Sequence, residues 1–173
     1  QDMEIVTWVL EGELEHRDSE GNQGVITPGL AQRMSAGTGI WHSEMNPSST
    51  TPVRLIQMWV PPDTRRIKPS YEQLDVSQDL AKGALIPIAS GNRTGAISIR
   101  QKGATLWAGR LLPGAVVNIP DASHVHLFVA TGEVALDNQF PLKQGDAARL
   151  THAGARPLSA GPTGAEILIW ETH

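Results

Sequence analysis

An all-β protein of two tandem barrel-like sandwiches is what this sequence predicts, on three observations. Seventeen glycines and twelve prolines are scattered along 173 residues, too many for a helical bundle and suited to short strands joined by turns. Before residue 70 no segment keeps a helical period over a useful length, while apolar runs and turn pairs follow one another closely. From about Leu85 the pattern restarts, which divides the chain into residues 1–80 and 81–173.

The elements follow in order. Glu4–Leu10 is apolar and β-branched, and Glu11-Gly12 turns it. Glu13–Arg17 alternates, and Asp18–Asn22 has the residues of a hairpin loop. Val25–Thr27 runs into the turn pair Pro28-Gly29, and Leu30–Ser35 follows. A glycine bend at Gly37–Gly39 leads to a strand carrying His42 and Glu44, then to a polar loop at Asn46–Pro52. Arg54–Val60 is a further strand, stopped by Pro61-Pro62, and Tyr71–Leu80 has room for a short helical turn. In the second half Val125–Asp137 echoes Ile5–His16, with Gly132 in the place of Gly12. Glu166–Glu171 parallels Leu55–Val60, so that Trp170 mirrors Trp59.

Composition excludes several classes of function. A net charge of −4 argues against a broad nucleic-acid surface, and Arg65-Arg66-Ile67-Lys68 reads as a solvated loop. No apolar run approaches the roughly 18 residues of a membrane span, and no signal-peptide pattern opens the chain. With no cysteine there is no disulfide framework, thiolate ligand or cysteine nucleophile, and the setting expected is cytoplasmic.

The chemistry concentrates in Gly37-Thr38-Gly39-Ile40-Trp41-His42-Ser43-Glu44. Side chains two apart on a strand leave the same face, with roots about 6.5–7 Å apart. An imidazole and a carboxylate so placed can converge on one metal ion, each reaching about 2.0–2.2 Å. The spacing alone leaves two readings open: a ligand pair, or a half-buried histidine beside a solvated glutamate.

Three segments together resemble the pirin family of bicupins: Asp2–Ser19, Gly29–Asn46 and Leu55–Val60. The likeness is close over about Gln1–Tyr71 and beyond that rests on the repeat. It implies two cupin barrels with one metal in the first, held by three histidines and a glutamate, of which His42 and Glu44 are two. The other two histidines are expected upstream of Gln1, together with early strands of the first barrel, so the expectation is half a site and possible absence of metal from this chain. Iron is the ion the resemblance implies, with other divalent transition metals acceptable to the same donors. The implied activity is quercetin 2,3-dioxygenase, with a flavonol-like substrate, His42 holding the ion and Glu44 taking the hydroxyl proton. The resemblance also admits a non-enzymatic regulator that answers to metal or redox state and binds a transcription factor or metabolic enzyme, for which Glu11–Glu15 is a candidate face.

The remaining candidates have plainer expectations. His124-x-His126 has the spacing of a cupin metal pair but finds only His152 nearby, so His126 is read as core or pocket edge. His16 is read as a surface residue on the hairpin, with Glu13 and Glu15 nearby, and Glu4 as a residue supporting the metal ligands. Trp8, Trp41, Trp59, Trp107 and Trp170 are read mostly as core, with Trp41 facing away from His42. Met34 and Met58 are read as core, with a cavity lining as the alternative.

Overall fold

Alternating apolar side chains and left-handed glycine turns produce fifteen strands and a single four-residue helix in the computed structural model, which describes Gln1–His173. No helix is long and apolar enough to cross a membrane. The chain forms two compact units. One comprises residues 1–77, 89–91 and 95–102; the other comprises 78–88, 92–94 and 103–173.

In the first unit β1 (Glu4–Glu11), β2 (Leu14–Asp18), β3 (Gln23–Ile26), β4 (Leu30–Ser35), β5 (His42–Met45), β6 (Arg54–Val60) and β7 (Ser70–Asp75) make two antiparallel sheets. Their orders are β6-β1-β4-β7 and β3-β2-β5. Tyr71–Leu80 is thus a strand first and a helical turn, α1 (Ser77–Leu80), only at its end. Val9, Leu14 and Ile26 form a small apolar cluster, with Leu30, Val53 and Leu55 packed against it.

The strand β8 (Leu85–Ser90) ends in the first unit, where Ala89 and Ser90 pair in parallel with β9 (Ile97–Ser98). The second unit is built from β10 (Ala104–Leu111), β11 (Val116–Asn118), β12 (His124–Leu136), β13 (Phe140–Lys143), β14 (Ala147–Thr151) and β15 (Pro157–Thr172). Its strands run β13-β12-β15-β10-β8, with β11 on β15 and β14 on β12. The sheets of neither unit close into a complete barrel.

The repeat is visible in the register. β1 shifts against β6 between Val9 and Glu11, and β12 shifts against β15 at the matching place, between Val129 and Thr131. Just past each shift stands a glycine with positive φ, Gly12 at 75° and Gly132 at 73°. A Cβ on Gly12 would collide with the carbonyl oxygen of Pro52, and one on Gly132 with that of Gly164. Gly132→Ala is therefore expected to cost more than about 1 kcal/mol, since both φ and space oppose a side chain. A thermal melt unchanged from the parent would contradict this.

The same register corrects one equivalence. Val125 faces Glu171 as Ile5 faces Trp59, so the counterpart of Trp59 is Glu171, not Trp170. An offset of one residue moves a side chain to the other face of a sheet. The tryptophans divide accordingly: Trp8 is fully buried and Trp107 and Trp170 are half-buried, whereas Trp59 is 62% and Trp41 86% exposed. Trp41 and Trp59 are therefore not core residues. Met34 is buried, as expected of a core side chain.

The two units differ most in what their matching strands point inward. Gln57, Thr7, Gln32 and Gln73 are successive partners across β6-β1-β4-β7 and form one polar row. The matching row in the second unit is Ile169, Leu127 and Ala148, part of or packed on its apolar core.

Candidate metal centre

The pairing of β2 with β5 sets the site. It places His16 opposite Glu44 and Asp18 opposite His42. The ligating atoms of His16, His42 and Glu44 all lie within 4.8 Å of one another. Two ligands of one ion bound at about 2.0–2.2 Å sit at most about 4.4 Å apart, so small rotations suffice for these donors to share an ion.

His16 was expected on the surface and is instead completely buried. Along β2, Leu14 and His16 are both buried while Arg17 is exposed, so the inward face carries His16. Its ring stacks on Tyr71 at 4.8 Å between centroids and lies 5.7 Å from the His42 ring. Nε2 is 3.3 Å from Oδ2 of Asp18, and Nδ1 is 3.5 Å from Oε1 of Glu44. Nδ1 has no hydrogen-bond partner of good geometry despite its burial. That nitrogen faces the Glu44 carboxylate, which lies beside the His42 imidazole, and an imidazole and a carboxylate so placed fit a site built to receive a cation.

The polar row of the facing sheet supports Glu44, whose side chain is 14% exposed. Gln57 Nε2 donates to Oε2 at 2.6 Å, and Gln32 Nε2 donates to Oε1 at 3.2 Å. Tyr71 OH donates to Oε1 of Gln32 at 3.0 Å and accepts from Nε2 of Gln73 at 2.7 Å. Trp59 extends the chain outward, its Nε1 donating to Oε1 of Gln57 at 2.9 Å.

These contacts set the charges. Burial raises the Glu44 pKa, but the close approach of His16, the hydrogen bond from Gln32, the charge of His42 and the Gln57 bond outweigh it, leaving a net lowering. Burial likewise opposes ionisation of Asp18, and Asn22 and His16 overcome it. For His16, burial lowers the pKa, and Glu44 and Asp18 together lift it above its ordinary 6.5. Burial pushes the Tyr71 hydroxyl up to about 12, so it remains a donor.

A pH prediction follows for the metal-free protein. A raised pKa contributes stability present below the unfolded value of 6.5 and lost as pH rises through the folded value. Lowered pKa values for Glu44 and Asp18 contribute stability above their unfolded 4.5 and 3.8, lost as pH falls through the folded values. Stability from this trio should be fullest between about pH 4.5 and 6.5 and decline on both sides. In His16→Asn the decline on the alkaline side should vanish, which melting curves across pH would reveal.

Other sequence candidates lie elsewhere. Glu4 is buried and accepts from Ser35 Oγ at 2.9 Å and Arg100 N at 3.3 Å, outside the group of convergent donors. His124 and His126 are exposed, because Val125 and Leu127 between and beside them enter the core. They border an open cleft of about 290 Å³ with Arg149 and Trp170. His126 is thus a cleft-edge residue. The contribution of His16 was legible in part, since Leu14 fixes which face of β2 points inward; Gln32 and Gln57 meet Glu44 only through strand pairing.

Comparison with known proteins adds the following. The pirin family model matches residues 1–60, and that of the quercetinase C-terminal cupin domain matches residues 87–171. Protein Rv0181c of Mycobacterium tuberculosis is 53% identical over 175 residues, spanning 100% of this chain and 71% of its own. Quercetin 2,3-dioxygenase of Escherichia coli is 46% identical over 101 residues, covering 58% of this chain and 43% of its own. The crystal structure of the bacterial pirin YhhW from Escherichia coli in complex with nickel(II) superposes with a TM-score of 0.88 at 33% identity, covering 99% of this chain and 73% of that one.

Proposed function

This chain belongs to the pirin family, and on that premise we propose that it holds a divalent transition metal through His42 and Glu44 and oxidises a flavonol-like small molecule with dioxygen. The observation that carries the reading is the approach of the His42 imidazole to the Glu44 carboxylate at the edge of a polar interior whose counterpart in the second unit is apolar. Two further imidazoles ahead of Gln1 would complete a shell of three histidines and one glutamate, as the likeness to the family implies. Iron is the ion that likeness implies, and nickel(II) is the ion in the Escherichia coli pirin complex.

When bound, the ion supplies Lewis-acid activation of a hydroxyl group and redox chemistry toward dioxygen. The protein's own groups do the rest. His42, two residues from Glu44 on β5, presents its imidazole to the same face. Glu44 is held ionised and is therefore free to accept the proton of a substrate hydroxyl brought beside it. Gln57 and Gln32 fix both carboxylate oxygens, so the base does not need to reorient as the proton arrives. Tyr71 stays protonated and anchors Gln32.

Aerobic incubation of the iron- or nickel-loaded protein with quercetin tests the proposal. Loss of the flavonol with release of carbon monoxide, abolished in His42→Ala, is expected. Failure of the loaded parent protein to consume quercetin would remove the dioxygenase assignment while leaving the metal site standing.

A further inference from the structure

Glu44 is restrained from both sheets. Gln57 and Gln32 reach it from the four-stranded sheet, and His16 approaches Oε1 from within its own. His16 has little freedom: the ring is wholly buried, stacked on Tyr71, and tied through Nε2 to Asp18. Asp18 is itself locked by the hairpin loop. Its Oδ1 accepts from the backbone N of Glu20 at 2.9 Å and of Asn22 at 3.0 Å, and the Asn22 side-chain amide reaches Oδ1 at 3.1 Å and Oδ2 at 2.9 Å. A line of immobilised groups therefore runs from the turn at Asp18–Asn22 through one imidazole to Glu44. A ring nitrogen buried without a partner is costly, and the nearest group able to relieve that cost is the Glu44 carboxylate.

We infer that His16 is a positioning residue, which with Asp18 fixes the carboxylate of Glu44 in the orientation that faces His42. It acts on the metal through Glu44 and is not itself a ligand. A carboxylate ligand held by a fixed neighbour keeps its geometry without reorganisation, and loss of such neighbours typically weakens metal binding about 10–100-fold. The inference rests on the reading of Glu44 as a ligand.

The test uses the intact protein, with Ni²⁺ affinity by calorimetry and Cu²⁺ pulsed EPR to count bound imidazoles. His16→Leu should bind Ni²⁺ about 10–100-fold more weakly while the imidazole count stays that of the parent. His16→Asn keeps an N–H near the Nδ1 position and should recover most of the loss, which a merely space-filling role would not require. If His16→Leu does not fold, Asp18→Asn carries the same test and should weaken Ni²⁺ binding about ten-fold. Parental affinity in His16→Leu, or in Asp18→Asn used in its place, overturns the inference, as does an imidazole count reduced by one, which would make His16 a ligand. Glu44→Gln is measured alongside: parental Ni²⁺ affinity there would overturn the ligand reading itself, whereas its loss together with parental affinity in His16→Leu overturns only the role of His16.

Discussion

Glu44→Gln is expected to weaken Ni²⁺ binding by more than about 100-fold, because residues that merely orient a ligand already cost about 10–100-fold when removed. The amide keeps the shape of the side chain and loses its charge. It also presents an N–H₂ group where Gln57 and Gln32 now donate to two carboxylate oxygens, so at least one donor is left facing another. His42→Ala should show a comparable loss through removal of an imidazole at an exposed position, with little effect on the metal-free fold. Calorimetric titration of both variants, with melting curves in chelator as the control for folding, decides the matter. Retained affinity in both would disconnect this pair from metal binding.

Ile169→Gln is expected to destabilise the protein by about 3–5 kcal/mol, from lost apolar burial together with a buried amide lacking partners. Ile169 is fully buried in the second unit and lies opposite Leu127, in the place that Gln57 holds opposite Thr7 in the first. The same residue type is thus tolerated at one position and not at the other. Gln57 has Glu44, Thr7 and Trp59 to bond with, and Ile169 has a core of aliphatic side chains. Urea denaturation of Ile169→Gln beside the parent measures the difference. A midpoint equal to the parent's would show that the second unit accommodates a polar group, against its apolar row.

Much of this architecture could be read from the chain because its signals are local. Alternation marks β2, turn glycines mark the ends of β1 and β3, and the echo of Ile5–Gly12 in Val125–Gly132 marks the second unit. The convergence of His42 and Glu44 was legible for the same reason, since residues two apart on a strand share a face. Membership of the family, recognised from three linked segments, is supported by both family-model matches. Partners brought in by pairing were not legible. His16 stands among charged residues in the sequence, and only the β2–β5 register sets it against Glu44. Gln32, Gln57 and Gln73 are distant in the chain and become one row because β6, β1, β4 and β7 align them with Thr7. The exposure of Trp41 and Trp59 is not legible from apolar character, because large aromatic side chains often stay partly in solvent.

The contrast between the two interiors also bears on endurance. Glutamines and a threonine stand where the second unit has aliphatic carbon, so the first unit forgoes hydrophobic cohesion along that row. A cation bound as proposed would restore part of it by mass action, since any ligand taken up only by the folded form adds about 2.7 kcal/mol at a hundred times its dissociation constant. On the proposed metal-binding reading, cation supply would therefore govern how long the first unit stays folded as well as any chemistry it carries.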